Sequence, residues 1–282
     1  MYGVEDQKKI NQIVRASGTS FYWGMKILNK ERRRAMFTIY AFCRIVDDIA
    51  DNNQKKIIKL SQLKAWKSKI NKIYKNLPSD SITRELLKSK NKFDLKKEDF
   101  LSIIEGMQMD IVEEIIYPSE KKIELYCKRV AGAVGCLSMS IFGIKSKVGR
   151  TYAQILGKAF QFTNILRDLK EDSLRNRCYI PLNIIKKFNK EKKSPKELIQ
   201  SSDIKFINKE MIIRTQKYYD DAEKIAIRFK HKDLKAAILM KEFYYNIFKK
   251  ISDNNENLNK KIKLSKIEKL IIIIKYLIRS KN

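Results

Sequence analysis

Glycine, proline and histidine are scarce in this chain, and their scarcity narrows the possible folds. Its 282 residues include 9 glycines, 4 prolines and a single histidine. No Pro/Gly/Ser-rich linker divides the chain, and apolar residues recur with a helical period almost from end to end. A chain of this length can bury one large core. We therefore predict an all-α fold with a single domain that covers residues 1–282.

The rarity of histidine and the spacing of the cysteines limit the catalytic chemistry. His231 lies in the charged segment RFKHKDLK and is predicted to be a surface residue. Ser/His, Cys/His and multi-histidine zinc sites therefore have little support. The cysteines have no CxxC spacing and lie in or beside apolar stretches, so we expect small core residues in a reducing compartment. They are Cys43, Cys127, Cys136 and Cys178.

Long apolar runs are also missing. The N-terminus MYGVEDQKKINQ lacks the apolar centre of a signal peptide, and we expect no segment of transmembrane length. The expected location is therefore the cytoplasm. The most apolar run, Leu270–Ile274, lies in a basic amphipathic tail at about residues 262–282. Two interpretations of this tail stay open and are compatible, a last helix packed on the core and a peripheral contact with the inner membrane.

Basic residues are abundant, with a formal net charge of +29. Such a charge suits either nucleic acid or an acidic membrane surface. The lysines are spread over every segment, however, and neither a zinc-finger pattern nor an aromatic RNA-binding signature is present. We expect no nucleic-acid partner. A basic surface would attract anionic diphosphates and lipid head groups equally, so charge alone does not identify the ligand.

Acidic side chains cluster in two motifs with helical spacing. A separation of four residues returns to nearly the same helix face about 6 Å further along the axis, so each motif forms a stripe of oxygen-bearing groups. Mg²⁺ prefers such oxygen ligands and is usually held by a few carboxylates together with substrate phosphates. The sequence therefore predicts a pair of magnesium-diphosphate sites. Their residues are Asp47, Asp48 and Asp51 in YAFCRIVDDIADN, and Asn164, Asp168 and Asp172 in QFTNILRDLKED.

An alternative interpretation of either motif is a solvated helix face. Three features favour the metal site over it. The first motif lies among apolar residues, where unpaired carboxylates need a compensating cation. Arg44 and Arg167 lie close to the two motifs, and guanidinium groups pair well with phosphate oxygens. The two motifs also match each other in kind.

Two further segments have features that bear on a site. The small residues Val130–Gly135 lie inside a predicted helix, which indicates a kink or the close approach of a ligand or a neighbouring helix. The segment Ser173–Lys193 follows the second motif and carries Arg175, Arg177 and Tyr179. It is interpreted either as a flap over bound phosphates or as a surface crossing with solvated charge.

Two structural assignments complete the prediction. Lys97–Ile116 is expected to be one helix that Pro118 ends. Aromatic residues near the C-terminus recur at helical spacing, which is typical of core packing. They are Tyr218, Tyr219, Phe243, Tyr244, Tyr245 and Phe248.

Three segments together resemble the squalene/phytoene synthase family in order and spacing. They are SFYWGMKILNKERRRAMFTIYAFCRIVDDIAD, YCKRVAGAVG and QFTNILRDLKEDSLRNRCYIP, and the similarity extends over about residues 15–250. The resemblance implies an isoprenoid-synthase helical fold with a central cavity between two facing aspartate-bearing helices. ASGTSFYW and EGMQMD are most similar to the bacterial branch that makes presqualene diphosphate. One departure is Asn29, where relatives commonly have proline.

The resemblance also assigns roles, each carried over by position. Both acidic motifs match metal motifs for a cluster of Mg²⁺ ions, and Asp47, Asp51, Asp168, Asp172 and Tyr40 are the catalytic candidates. The substrate-binding candidates are the phosphate-binding arginines Arg44 and Arg167, the pocket residues Ser20, Phe21, Tyr126 and Gln161, and the flap residues Arg177 and Tyr179.

The implied activity is the head-to-head condensation of two farnesyl diphosphates to presqualene diphosphate, on the way to squalene and hopanoids. Downstream isoprenoid enzymes are the partners that this implies. Within the family, an NADPH-dependent squalene synthase and a phytoene synthase remain alternatives. A non-catalytic scaffold that retains the fold and a basic lipid-surface or nucleic-acid binder are alternatives from other classes.

Overall fold

Helices make up most of the described chain, which is residues 2–254 and 262–279 of a computed structural model. The all-α prediction is confirmed. The only β pairing in these residues is an isolated parallel bridge between Ile116 and Cys178. The helices are α1 (Tyr2–Ala16), α2 (Phe21–Lys26), α3 (Lys30–Asp51), α4 (Lys56–Ile73), α5 (Ser81–Phe93), α6 (Lys97–Val112), α7 (Glu120–Cys127), α8 (Ala133–Phe142), α9 (Lys147–Leu174), α10 (Leu182–Lys186), α11 (Pro195–Ile199), α12 (Ile204–Ala226), α13 (His231–Asp253) and α14 (Lys266–Arg279).

The two helices that carry the acidic motifs each begin at a side-chain cap. The Oδ1 of Asn29 accepts the Arg32 amide at 2.9 Å at the start of α3. The Oγ of Ser146 accepts the Gly149 amide at 3.1 Å at the start of α9. Such caps satisfy amides that have no partner within the helix. Asn29 therefore caps the first turn of α3 with its own side chain.

The core surrounds these two helices. α9 packs against α8 and α12, while α3 packs against α6 and α8. Fully buried aromatic rings fill the gaps between them, among them Phe42 on α3, Phe100 on α6 and Phe162 on α9. This packing fixes the direction in which the unburied faces of α3 and α9 point.

The small-residue segment distorts its helix and also approaches a neighbour closely. Lys128–Gly132 forms a π-helical turn between α7 and α8. A Cβ atom on Gly135 would lie 2.8 Å from the backbone oxygen of Ala153 on α9. Gly157 on α9 faces the same turn, and its Cβ would lie 2.9 Å from the carbonyl carbon of Ala131. Both the kink and the close helix approach are therefore present.

Two expectations are wrong. The helix predicted for Lys97–Ile116 ends at Val112, because the residues that follow are extended and pair with Cys178, whose amide donates to the oxygen of Ile115 at 2.8 Å. The run Glu120–Phe142 is long and apolar enough to cross a bilayer, by length and composition alone. Within it, 61% of the most apolar window is buried inside the protein, as in a core helix.

The remaining assignments can be placed on the structure. Cys127, Cys136 and Cys178 are buried and Cys43 is half-buried, and all are free thiols. His231 is exposed, as predicted. The tail forms α14, which packs on α13, and residues 280–282 lie outside the described part.

The helix crossing gives a matched pair of stability predictions. Gly135→Ala places a methyl group against the backbone of α9, so we expect it to lower the free energy of unfolding by about 1–3 kcal/mol. Gly132→Ala is the control, since its Cβ would meet nothing closer than 3.5 Å. There the better helix propensity of alanine should leave stability unchanged or raise it by about 0.5–1 kcal/mol. Urea unfolding measures both, and equal effects would contradict the close approach.

Candidate active site

Asp47 and Asp51 of the first motif and the residues of the second motif lie on the C-terminal parts of α3 and α9 and share one cleft, whereas Asp48 is 55% exposed and lines a separate surface hollow beside α4. The electrostatics of Asp172 show their proximity, because burial first and then the charges of Asp168, Asp110 and Asp51 raise its pKa to about 7. Asp51 belongs to α3 and Asp168 to α9, so one carboxyl group senses both motifs. The structure therefore brings the predicted stripes together.

Asp47 is the second carboxyl group with a strongly raised pKa. Desolvation by the surrounding walls, followed by the charge of Asp51, raises its pKa to about 7, while Arg44 opposes the shift. Its side chain nevertheless remains 46% exposed, on the open side of the cleft. Crowded carboxylates of this kind disfavour their own ionisation and attract a cation.

A third acidic residue, Asp110 on α6, completes the cleft, and sequence reasoning assigned it no role. Its carboxylate accepts hydrogen bonds from the hydroxyls of Tyr179 at 2.7 Å and Tyr126 at 3.0 Å. These two predicted site residues stack on each other with ring centroids 5.0 Å apart. Burial raises the pKa of Asp110 to about 6 despite the two phenol donors. Asp110 therefore holds both phenols beside the acidic motifs.

The segment after α9 folds across the acidic end of the cleft. Arg175 and Arg177 each donate to the carboxylate of Asp51 at 2.9 Å. Arg177 also donates to the backbone oxygen of Asp110 at 3.2 Å. The segment therefore connects α9 to α3 and α6 through guanidinium groups, rather than crossing an open surface.

The two other predicted arginines hold aspartates of their own helices. Arg44 contacts Asp48 at 2.5 Å, and Arg167 makes a two-point contact with Asp168 at 2.9 and 2.5 Å. Charge-assisted pairs of this type bind anionic oxygens strongly. Each acidic motif is thus flanked by guanidinium groups that match a phosphate in charge and geometry.

The residues of the motifs fit a magnesium ion shared with a ligand better than a closed protein cage. Among the described residues, no three acidic, histidine or cysteine side chains form a ready metal cluster. The Oδ1 of Asn164 is buried and has no hydrogen-bond partner among the described residues. An orphaned buried acceptor is costly unless a ligand satisfies it. Sparse carboxylates plus a free amide oxygen suit Mg²⁺ that keeps water and phosphate ligands.

An apolar cavity of about 230 Å³ extends from Asn164 into the core. Phe21 and Gln161, two of the predicted pocket residues, line it, and so does Tyr40. The other two, Ser20 and Tyr126, are not among the residues that form its wall. The wall comes from α2, α3, the π-helical turn, α8, α9 and α13. It includes Met25, Met36, Ile39, Val134, Met139, Phe142, Tyr152, Leu156, Phe160 and Met240.

Tyr244 has a role beyond the core position that its spacing predicts. It is buried, and it also lines the cavity and stacks on Phe21 with centroids 4.6 Å apart. Phe160 lies 4.5 Å from the same ring. Arg167 and Tyr244 lie close enough to shift each other's pKa, so the aromatic wall adjoins the second acidic motif. The neighbouring Tyr219, Phe243 and Phe248 are buried core residues, as predicted.

Comparison with known sequences identifies relatives along nearly the whole chain. A family model described as squalene/phytoene synthase matches residues 14–268. A presqualene diphosphate synthase of Rhodopseudomonas palustris is 36% identical over 264 residues, which are 93% of this chain and 94% of that protein. Another from Sinorhizobium fredii is 44% identical over 59% of each chain. A 15-cis-phytoene synthase of Synechocystis is 30% identical over 90% of this chain and 79% of that one.

Solved structures share the fold. A dehydrosqualene synthase in complex with a ligand superimposes with a TM-score of 0.84 at 22% identity, covering 99% of this chain and 98% of that one. A squalene synthase from Alicyclobacillus acidocaldarius superimposes with a TM-score of 0.78 at 19% identity, covering 90% of this chain and 95% of that one. The isoprenoid-synthase fold that the resemblance implied is confirmed.

The crowding at Asp47 predicts a pH-dependent effect of Asp47→Asn in the absence of divalent metal. Because the pKa of Asp47 rises from 3.8 to about 7 on folding, its ionisation increasingly destabilises the folded state as pH rises between those values. The amide that replaces the carboxyl group cannot ionise. The free energy of unfolding of the variant should therefore exceed that of the unaltered chain only slightly at about pH 5. At about pH 8 the difference should be about 1 kcal/mol, after allowing for solvent screening of a half-exposed group.

Asp6→Asn is the control, because the pKa of Asp6 is shifted in the opposite direction. The hydrogen bond from Arg84 lowers the pKa of Asp6 in the folded protein. The contribution of ionised Asp6 to the free energy of unfolding is complete above the pKa of the unfolded chain. It is lost only as the pH falls below that value. The cost of Asp6→Asn should therefore be the same at both pH values. Thermal unfolding of the unaltered chain and both variants at the two pH values measures these effects. An effect of Asp47→Asn that is the same at both pH values would contradict the assigned crowding.

Proposed function

This chain belongs to the squalene/phytoene synthase family, and on that premise we propose that it condenses two farnesyl diphosphates head-to-head to presqualene diphosphate and pyrophosphate. The observation that carries the proposal is the joining of a carboxylate- and arginine-lined cleft to an apolar cavity through Asn164. A substrate with a diphosphate head and a long hydrocarbon tail needs both environments side by side. The similarity to presqualene diphosphate synthases over most of the chain supports the choice of product.

The diphosphate head is proposed to lie between the two acidic motifs. Asp47 and Asp51 on α3 would hold Mg²⁺ together with Asn164, Asp168 and Asp172 on α9, and Asp48 would hold Arg44 beside them. When bound, Mg²⁺ supplies positive charge that neutralises the departing pyrophosphate. Arg44, Arg167 and Arg177 provide guanidinium donors for the same oxygens.

The first chemical step breaks the C1–O bond of one farnesyl diphosphate, and the bonding electron pair leaves with pyrophosphate. Positive groups already placed around the cleft favour this charge separation, since they need no reorganisation as the negative charge develops. Asp110 is assigned a positioning role, because it holds Tyr126 and Tyr179 in place without facing the apolar cavity. Ser20 and Gln161 are proposed to orient the substrate near the cavity wall.

The allylic cation is then kept from water in the apolar cavity. Phe21, Tyr40, Phe160 and Tyr244 turn aromatic rings toward it, and ring faces stabilise cations. The 2,3-double bond of the second farnesyl diphosphate donates its electron pair to C1 of the cation, and loss of one proton closes the cyclopropane. Released pyrophosphate and the Tyr40 hydroxyl, assisted by it, are the two candidate proton acceptors.

The cellular setting is proposed on chemical grounds. We propose that the chain works in the cytoplasm beside the inner membrane and that a downstream isoprenoid enzyme takes up its product. A diphosphate with two hydrocarbon chains is amphiphilic and would partition to a lipid surface. No nucleic acid enters this proposal.

Product analysis tests the proposed function directly. We expect the purified chain, incubated with farnesyl diphosphate and Mg²⁺ alone, to form presqualene diphosphate and one pyrophosphate per product. Adding NADPH should leave the product unchanged. Squalene formed only with NADPH would identify a complete squalene synthase, and product formed only from geranylgeranyl diphosphate would identify a phytoene synthase. Absence of any pyrophosphate release would instead favour a non-catalytic scaffold.

The acidic motifs give a prediction for each helix. Asp47→Ala and Asp168→Ala should each lower kcat by about 10³-fold or more, since each removes charge complementary to the bound metal cluster. Helical content should be unchanged, because both side chains lie in the cleft rather than in the core. Asp220→Ala, an exposed position on α12, is the matched control and should retain full activity. Full activity in either cleft variant would refute the assigned roles.

A further inference from the structure

The last described helix, α14, has two apolar faces rather than one. Ile272 and Tyr276 are buried toward α13, with Leu264 just before the helix. A second stripe of aliphatic side chains faces solvent along the whole helix. Its members are Ile267 (72% exposed), Leu270 (56%), Ile271 (44%), Ile274 (47%) and Ile278 (60%). Their spacing of three and four residues places them on one side of the helix.

The exposed stripe continues onto α2. A groove of about 820 Å³ separates α14 from α2 and the end of α1, and Leu270 and Ile273 line its α14 side. Trp23 and Ile27 line the opposite side and are 42% and 41% exposed. The exposed stripe of α14 together with Trp23 and Ile27 is called the apolar face below. Monomeric proteins rarely leave so many large aliphatic side chains together in water.

Basic side chains line the groove beside this apolar face. Arg15, Lys26, Lys266 and Lys269 line the groove. Glu268, the acidic residue in the first turn of α14, pairs with Lys250 on α13 at 2.7 Å, on the side of the helix that packs inward. The apolar face therefore has a positive rim, which matches an anionic surface in sign.

We propose that the apolar face docks this protein onto an anionic phospholipid bilayer. Aliphatic side chains on one helix face with lysines beside them are the features of a helix that lies in the membrane interface. A partly exposed tryptophan next to them suits the head-group level. Each basic residue near a negatively charged leaflet adds to the attraction, which falls with salt.

A second copy of the chain is a less suitable occupant. In a symmetric dimer the same patch meets itself, so the lysine rims of both copies would approach each other. Like charges facing each other across an interface oppose association. An anionic bilayer covers the same aliphatic side chains and neutralises the rim as well.

The docking orientation places the bilayer next to the wall of the substrate cavity. Phe21 and Met25 on α2 line the cavity. Trp23 on the same helix and Ile27, which directly follows it, belong to the apolar face. α2 is therefore a one-helix partition between the proposed lipid surface and the hydrocarbon site. This part of the inference rests on the proposed function, since a bilayer beside the cavity would serve the transfer of farnesyl chains only if the cavity binds them. The docking surface itself does not depend on that activity.

Vesicle sedimentation with the full chain tests the docking surface. We expect binding to vesicles of phosphatidylcholine mixed with phosphatidylglycerol, weaker binding to phosphatidylcholine alone, and loss of binding as salt rises from about 0.05 M to about 0.5 M. The double variant Leu270→Gln/Ile274→Gln should bind the anionic vesicles at least about tenfold more weakly. Glutamine keeps the helix propensity, so the helix should persist.

The matched control changes two exposed isoleucines elsewhere. Ile57→Gln/Ile213→Gln alters side chains that are 75% and 60% exposed on α4 and α12, outside the apolar face. Its vesicle binding should equal that of the unaltered chain. Equal binding by both double variants, or no binding of the unaltered chain to anionic vesicles, would overturn the proposal.

Tryptophan fluorescence reports the contact at α2 independently. The chain has 2 tryptophans, and Trp66 is buried whereas Trp23 belongs to the apolar face. Anionic vesicles should shift the emission to shorter wavelength, and Trp23→Phe should abolish the shift. A shift that persists in Trp23→Phe would remove α2 from the docking surface.

Two further measurements separate the remaining outcomes. A dimer in solution that Leu270→Gln/Ile274→Gln converts to a monomer would assign the apolar face to a second copy and overturn the lipid proposal. Turnover of farnesyl diphosphate in detergent should be unchanged in this double variant. If the double variant loses vesicle binding and keeps turnover, the docking surface is supported. If neither the unaltered chain nor any variant turns over farnesyl diphosphate, the proposed function alone is refuted.

Discussion

The crowding of carboxylates in a partly desolvated cleft is the constraint on which the rest of the structure depends. Asp47, Asp110 and Asp172 each have a pKa raised first by desolvation and then, in part, by neighbouring carboxylates. Such a cleft is stable only if the protein supplies positive charge and a rigid frame. Guanidinium groups provide the charge, since Asp51 alone receives two arginines. Packed helices provide the frame, because the buried faces of α3 and α9 fix where the acidic stripes point.

The close approach of α8 and α9 connects this frame to the cavity. Gly135 and Gly157 leave no room for a side chain at the crossing, and both also line the cavity. The crossing therefore forms one wall of the apolar cavity, which Asn164, a residue of the second motif, also lines. A single long helix thus carries the small residues that shape the cavity and the acids of the second motif. Its length, Lys147–Leu174, is what places both environments in one continuous pocket.

The parts of this arrangement that follow from local spacing were predictable, and the parts that depend on tertiary register were not. The acids recur at helical intervals, so both stripes could be placed from the sequence. Asp110 had a comparable signal, since it follows the buried Met107 by three residues on the core side of α6. The end of α6 had no local sequence signal. Its last expected turn is replaced by pairing with Cys178, which is more than sixty residues away in sequence. Tyr244 could not be distinguished from Phe243 without knowing the rotation of α13 about its axis.

The arginines and the acids also constrain each other's ligands. Arg44, Arg167 and Arg177 each contact an aspartate of a motif. A diphosphate that takes these guanidinium groups alone would leave the carboxylates uncompensated in a desolvated cleft, where unpaired charge is costly. A divalent cation that takes the carboxylates alone would leave the guanidinium groups without their aspartate partners. Under the proposed function the cation and the diphosphate would compensate each other's charge in the cleft, so each would raise the affinity for the other, and by thermodynamic reciprocity the two increases would be equal. The pairing of arginines with the aspartates of the motifs would therefore favour the complete metal-diphosphate complex over either half of it.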